Sequence, residues 1–201
     1  MADPLTSPIG STAPGRYGAG DARLVLAELT IAGAWNAQGK PERPACIDAV
    51  QRVFAVPLPR TPNATSRNDT VTALWLGPES WLLVAHGASP RPDLAAARAA
   101  INAAGGALFD VSASRVAYAV TGRHATALLA LRCPLDFHVT AFPVAGCAQS
   151  LLGPVGALYY RRSAEDFVVM VARSYARDAW HALCVSAAAD GYDVAPTAVF
   201  A

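Results

Sequence analysis

Residues Ala73–His86 read "ALWLGPESWLLVAH". Two apolar runs flank Gly-Pro-Glu-Ser, and Trp75 and Trp81 stand six positions apart. Gly-Pro supplies turn chemistry, and the flanking Leu, Val and Trp residues favour extended chain. The stretch therefore predicts a β-hairpin with strands over Val71–Leu76 and Ser80–His86. A hairpin that apolar must be packed on at least one face.

Working outward, "LVLAELTIAG" (Leu24–Gly33) predicts a strand, and "AWNAQGKPERP" a loop. "ACIDAVQRVFA" (Ala45–Ala55) predicts a helix with Cys46 or Ile47, Val50, and Val53 or Phe54 on one face. "VPLPRTPNATSRND" is a proline-punctuated connection with room for a short edge strand at its start. "SPRPDLAAARAAINAAGG" predicts a helix: Pro92 suits its first turn, Leu94, Ala97 and Ile101 share a face, and Gly105 or Gly106 stops it.

The second half repeats this order. "RVAYAVTG" (Arg115–Gly122) predicts a strand and "RHATALLALRC" a helix ended by Pro134. "LDFHVTAFPVAGC" is a connection. Leu158–Arg161 and Phe167–Ala172 predict a second hairpin around "RSAED". Ser174 is a plausible N-cap for "YARDAWHALCVSAA", whose Trp180, Leu183 and Cys184 share a face. "LWLGPESWLLVA" aligns with "LYYRRSAEDFVVMVA", Leu74 answering Leu158 and Trp81 answering Phe167. "ALFDVSASR" (Ala107–Arg115) joins the halves with room for one more strand. The expected class is α+β: two similar β-α-β-β-α halves, each an antiparallel sheet with helices on one face. The expected division is a flexible arm over 1–21, halves over 22–106 and 107–190, and a tail over 191–201.

Composition narrows the function. The chain has 201 residues, 15% of them charged, and a formal net charge of +1; its mean hydropathy is +0.28. Such a surface fits a chain covered by permanent partners, although abundant alanine and a single lysine, Lys40, also raise apparent hydropathy. The absence of a basic stripe argues against nucleic acid. No run approaches a membrane span, and "MADPLTSPIGSTAPGRYGAG" is no signal peptide, so a cytoplasmic protein is expected. Cys46, Cys133, Cys147 and Cys184 form no C-x-x-C pair, so reduced, mostly buried thiols are expected.

The candidate chemistry is sparse. Gly122, in "YAVTGRHATALL", stands alone where a dinucleotide fingerprint needs three glycines, and "GPVG" (153–156) lacks a P-loop ending. Cys133, His138 and Cys147 could offer zinc three ligands, with Asp136 as a fourth, but without paired spacing. Ser112 and Ser114 lack a nucleophile elbow. His86, His124 and His181 show no relay partner in sequence, and Glu165-Asp166 reads as a solvated turn. Asp110, in a largely apolar stretch, is a ligand candidate or a strand-end residue bonding backbone. No catalytic, cofactor or metal residue is assigned. Trp75, Trp81, Tyr159, Tyr160 and Phe167 cluster on the hairpins, and alternation leaves some exposed unless a partner covers them.

"ALWLGPESWLL", "FDVSASR", "CPLDFH…AFP…GC" and "RSYARDAWHAL", in that order, resemble the gamma subunit of heterotetrameric sarcosine oxidase. The resemblance runs from about residue 24 to 185. It implies the two-part fold of the aminomethyltransferase of the glycine cleavage system. It implies a complex that oxidatively demethylates sarcosine to glycine, linked to tetrahydrofolate. Alpha and beta subunits would carry FAD, FMN, NAD and the folate site, and a delta subunit zinc, with gamma a non-catalytic partner of all three. Two alternatives remain. One is a stand-alone aminomethyltransferase-like protein binding tetrahydrofolate through Asp110. The other is a small homodimeric regulatory module.

Overall fold

The computed structural model describes residues 12–21, 23–87 and 89–201. Those residues form two α+β units: the described residues up to Thr30 with Ala113–Ala198, and Ile31–Ser112 with Val199–Ala201.

The second unit contains the tryptophan hairpin. Its elements are β3 (Ala34–Gln38), α1 (Pro44–Phe54), β4 (Thr65–Arg67), β5 (Val71–Gly77), β6 (Ser80–Ala85), α2 (Leu94–Ala103) and β7 (Ala107–Asp110). The strands run β4-β5-β6-β3-β7, all antiparallel. Trp75 pairs directly with Trp81 across the hairpin. The Trp81 ring is buried and its Nε1 donates to the Pro59 carbonyl at 2.7 Å. That bond satisfies the one polar atom that burying an indole would otherwise orphan.

Helix α1 starts at Pro44, whose missing N–H costs nothing at a first-turn position, and buries Cys46, Ile47, Ala49, Val50 and Phe54. Asn68 then links its end to the hairpin. Its amide donates to the Phe54 and Ala55 carbonyls, while its Oδ1 accepts from the N–H groups of Thr70 and Val71. Helix α2 is capped by Asp93, which accepts from Ala95 and Ala96 N–H. Pro92 therefore precedes the cap rather than opening the helix. Gly105, at φ +82°, closes the far end. Both helices pack on the face presenting Trp35, Ala37, Val71, Ala73, Trp81, Leu83 and Leu108. Phe200 completes this unit: it is fully buried, its carbonyl accepts from Gly87 N–H at 3.0 Å, and its ring lies 5.9 Å from that of His86.

The first unit comprises β1 (Gly15–Tyr17), β2 (Val25–Thr30), β8 (Arg115–Thr121), α3 (Ala125–Ala130), β9 (Cys147–Leu152), β10 (Val155–Ser163), β11 (Asp166–Ala172), α4 (Ala176–Ala187) and β12 (Tyr192–Val194). Its sheet path is β1-β12-β2-β8-β11-β10-β9. Only the β12–β2 pair on that path is parallel. The duplication is thus topological. β3-α1-β4-β5-β6-α2-β7 and β8-α3-β9-β10-β11-α4-β12 share one order of elements, and both sheets contain the same four-strand run, β4-β5-β6-β3 in one and β9-β10-β11-β8 in the other.

Several expectations need correction. The apolar run Leu24–Gly33 is not one strand of the first half. β2 ends at Thr30 and pairs β8 in the later half's sheet, and the expected loop "AWNAQ" is β3. Gly33 marks the break, because a Cβ there would sit 2.7 Å from the Trp35 ring. Of the expected arm, residues 1–11 lie outside the described residues, but Gly15–Tyr17 is a strand paired with β12. The edge strand β4 forms at the end of its connection, not the start, because prolines hold the beginning. β9 is an unexpected strand: only its first residue, Cys147, falls in the expected connection, and the strand pairs β10 through Gly153-Pro154, with Gly153 at φ +60°. Ser174 does not cap α4, which is entered through a 3₁₀ turn over Arg173–Tyr175.

Between α3 and β9 the chain runs irregularly through "CPLDFHVTAFPVAG". Its anchor is Arg161, a guanidinium only 4% exposed. Nη1 donates to the Phe137 and Phe142 carbonyls at 3.1 and 2.7 Å. Nε donates to Ser163 O at 3.2 Å and Nη2 to Ala164 O at 2.8 Å. The carbon of the guanidinium lies 5.0 Å from the centroid of the Phe167 ring, and Phe137 meets Phe142, Tyr159 and Phe167 edge-on. Arg161→Met should orphan four carbonyls, each worth about 1–3 kcal/mol when buried, and less than additively. Arg161→Lys should recover only part, since an ammonium cannot span them. Urea midpoints and protease sensitivity within residues 134–146 would check both.

Candidate functional site

The sequence candidates are dispersed, each with local work. Asp110 is exposed at the end of β7, and its Oδ1 accepts from Ser112 N–H at 2.9 Å and from Ser112 Oγ at 2.6 Å. Ser112 Oγ also accepts from Ala34 N–H at 2.9 Å. The pair therefore ties the end of β7 to the start of β3, the backbone role open to a strand-end Asp.

His138 bonds within its own turn, Nδ1 to Thr140 Oγ1 at 2.8 Å, and its N–H donates to Asp136 Oδ1. Cys133 joins the helix-side core, whereas Cys147 lies one residue out of phase with core residue Ala148 and so projects from the other sheet face. The sheet thus separates two of the three candidate ligands. Among the described residues, no three His, Cys, Asp or Glu side chains gather as a metal group.

Gly122 sits at φ +119°, where a Cβ would meet the Arg23 carbonyl at 2.3 Å, so its glycine serves a tight strand-to-helix turn. Asp166 accepts from Arg162 at 2.9 Å across its hairpin. His124 lies 3.1 Å from Asp190 on the surface, and His181 and Lys40 are exposed. Four of the hairpin aromatics, Trp81, Tyr159, Tyr160 and Phe167, are buried, Tyr160 at 2% exposure even on the face away from the helices, whereas Trp75 is partly buried against the core.

One concavity, of about 420 Å³, was missed in the sequence. It is lined by Ser114, Arg115, Gln149, Ser150, Gly156, Ala157, Leu158 and Ala172. Strand register explains it. Arg115 pairs Ala172, Gly156 pairs Leu151, and Gly156 follows on from the Ala157–Val171 pair, so these four residues form one row across β8, β11, β10 and β9. Val116, Ala157 and Val171 point to the helix-side core. Their neighbours Arg115, Ala172 and Gly156 therefore face the other way. Two nearly absent side chains in the middle of the row make a dent, and nothing lies within 4 Å of a Cβ placed on Gly156. Arg115 stands at one end, half-buried, with burial lowering its pKa from the ordinary value. Among the described residues its guanidinium has no hydrogen-bond or ion-pair partner. The signal available in sequence was "GPVGA" opposite "VAR", legible only once the register is known.

Residues 38–190 match the model of the sarcosine oxidase, gamma subunit family, and the chain belongs to that family. It is 30% identical over 109 residues to the sarcosine oxidase subunit gamma of Corynebacterium sp. (strain P-1), covering 54% of this chain and 52% of that one. It is 31% identical over 98 residues to the corresponding subunit of Arthrobacter sp., covering 48% and 47%. The matched segments thus span about half the length of these curated relatives. In fold, it is similar to a chain of the heterotetrameric sarcosine oxidase from Corynebacterium sp. U-96 in complex with pyrrole 2-carboxylate. That match has a TM-score of 0.72, 22% identity, and covers 85% of this chain and 86% of that one. Aminomethyltransferase T of the glycine cleavage system from Bartonella henselae aligns at a TM-score of 0.55 and 14% identity, covering 88% of this chain and 48% of that one. The fold is therefore the aminomethyltransferase-like α+β architecture.

His86 is a buried histidine, 7% exposed. Its Nε2 lies 2.7 Å from Thr72 Oγ1 and its Nδ1 3.2 Å from the Asp69 carbonyl. Burial lowers its pKa, aided by Arg67 and opposed by the bond to Asp69 and by the charge of Asp69. The unfolded chain therefore takes up this proton first as pH falls. Stability should decline from about pH 6.5 downward, by at most about 1.4 kcal/mol per pH unit from this group. Urea unfolding of wild type and His86→Gln between about pH 7.5 and 5.5 should show the shallower slope in the variant.

Proposed function

We propose that this chain is the non-catalytic gamma member of a heterotetrameric, flavin-dependent sarcosine oxidase, contributing to assembly with alpha and beta subunits. The observation that carries the reading is the family match across residues 38–190. On this reading, the oxidative demethylation of sarcosine to glycine, linked to tetrahydrofolate, takes place on the partners. FAD, FMN, NAD and tetrahydrofolate would be held by alpha and beta, and zinc by delta.

Two features of the chain support the assignment. Asp110 and Ser112 bond at strand ends, and Asp136 and His138 within a turn. Apolar side chains remain uncovered on helical and irregular surface: Leu131 is 69% exposed, Val185 50%, Val139 49% and Val144 47%. Isolated exposed apolar residues are ordinary, but in an assembly of four chains such positions are where coverage is gained. No described helix is long and apolar enough to cross a membrane.

Native mass spectrometry of the tagged chain, recovered from its own host, should yield a four-chain assembly bearing flavin. A homodimer or a lone chain would overturn the assignment, and micromolar tetrahydrofolate binding by the chain alone would favour a folate-binding protein instead. Within the assembly, Asp110→Ala and His138→Ala should leave turnover per bound flavin unchanged. A large loss of turnover with assembly intact would place chemistry on this chain.

A further inference from the structure

We propose that the dent between Arg115 and β9 is a docking socket for a carboxylate side chain of a partner polypeptide. The inference rests on the subunit reading above and adds the place and chemistry of one contact.

The charge comes first. The lining residues include one guanidinium and no carboxylate. A half-buried guanidinium with no partner among the described residues has lost part of its hydration without compensation, which an incoming anion restores. The planar fork of arginine matches a carboxylate in two parallel hydrogen bonds.

Shape then selects the source. Gly156 and Ala172 leave a floor between Arg115 on β8 and Leu151 on β9. Adjacent strands lie about 4.8 Å apart, so a side chain reaching from the β9 rim toward Arg115 crosses about three spacings. An extended Asp or Glu side chain carried by main chain lying over the floor covers that distance in part, and the long arginine covers the rest. β9 ends the sheet path, and no described strand pairs its outer edge. Leu151, at the rim, is 46% exposed. A strand edge that no described strand pairs offers main-chain hydrogen bonds to a second chain, and an exposed leucine near a half-buried arginine is a combination that interface anchors use. A free small carboxylate would use Arg115 but neither the edge nor the rim.

The glycine makes a clean test. Gly156 has no close neighbour at its Cβ position and no left-handed φ, so Gly156→Leu should fold and simply fill the socket. The complex is purified from its host through a tag on this chain, as wild type, Arg115→Gln, Arg115→Lys and Gly156→Leu, with urea midpoints confirming folding. Dissociation of partner chains is followed over a sodium chloride series. A fifth form carries the photo-crosslinker benzoylphenylalanine at position 156. The expected results are partner dissociation about tenfold faster or more in Arg115→Gln and Gly156→Leu, partial rescue by Arg115→Lys, and a cross-link to one partner peptide containing Asp or Glu. Should Arg115→Gln fail to fold, Gly156→Leu and the cross-link decide. Wild-type dissociation in Gly156→Leu with no partner cross-link overturns the socket while leaving the subunit reading intact, because the wild-type complex still holds its partners. A cross-link to a second copy of this chain overturns it in favour of self-association. Wild-type chain emerging alone overturns both. Loss of the cross-link in acetate with dissociation unchanged identifies a small carboxylate as the occupant and overturns the polypeptide.

Discussion

A buried guanidinium must have its donors satisfied, and Arg161 meets that demand with main-chain carbonyls rather than an acid. The choice has structural consequences. Two of the carbonyls belong to the long irregular crossover and two to the turn of the β10–β11 hairpin. One side chain therefore fixes the path of a segment that has no regular secondary structure to do so. The backbone of Arg161 reinforces this, its carbonyl accepting from Ala145 and its N–H donating to Gly146 O. The aromatic rings of Phe137, Phe142 and Phe167 close around it. The helix-side core of that unit is sealed by this arrangement. Irregular chain is tolerated over a core only where its polar groups are accounted for in this way.

The same economy explains why no reactive constellation appears among the described residues. Asp110 and Ser112 stitch two strand ends, Asn68 bridges a helix end and a hairpin, and His86 bonds on both ring nitrogens. Each polar residue in an apolar setting is held by backbone or by one neighbour, which fixes its geometry and spends its hydrogen-bonding capacity. Arg115 departs from this rule, and it stands where two small residues open the sheet surface.

Much of the fold was legible in the sequence because local chemistry and global packing agree there. The tryptophan hairpin, the buried faces of α1 and α2, and the second hairpin followed from periodicity and turn residues. The element order of the duplication was legible too, though two strands short in each half. What escaped was non-local. An apolar run of ten residues looks the same whether it serves one sheet or is divided between two. The break at Gly33 is intelligible only once the Trp35 ring is seen lying over it. β9 was hidden by composition: six residues of mixed polarity followed by Gly-Pro carry no strand signal until β10 is found beside them. The dent was illegible for the same reason, since Arg115, Ala172, Gly156 and Leu151 are brought into one row only by register. The strand-end bonding of Asp110 was one of two readings open in the sequence, because strand ends announce their Asp residues locally.

The placement of β2 and Phe200 has a consequence for how the chain matures. β2 is made early, yet it lies between β8 and β12, so its neighbours are translated only after the whole tryptophan-hairpin unit. That unit in turn lacks Phe200, which comes from the far end of the sequence. The core that contains β2 cannot close before Tyr192 and Val194 have been made. At roughly 5–20 residues per second, a strand as apolar as "VLAELT" waits for seconds with both edges bare. Such a chain depends in that interval on being shielded from its neighbours.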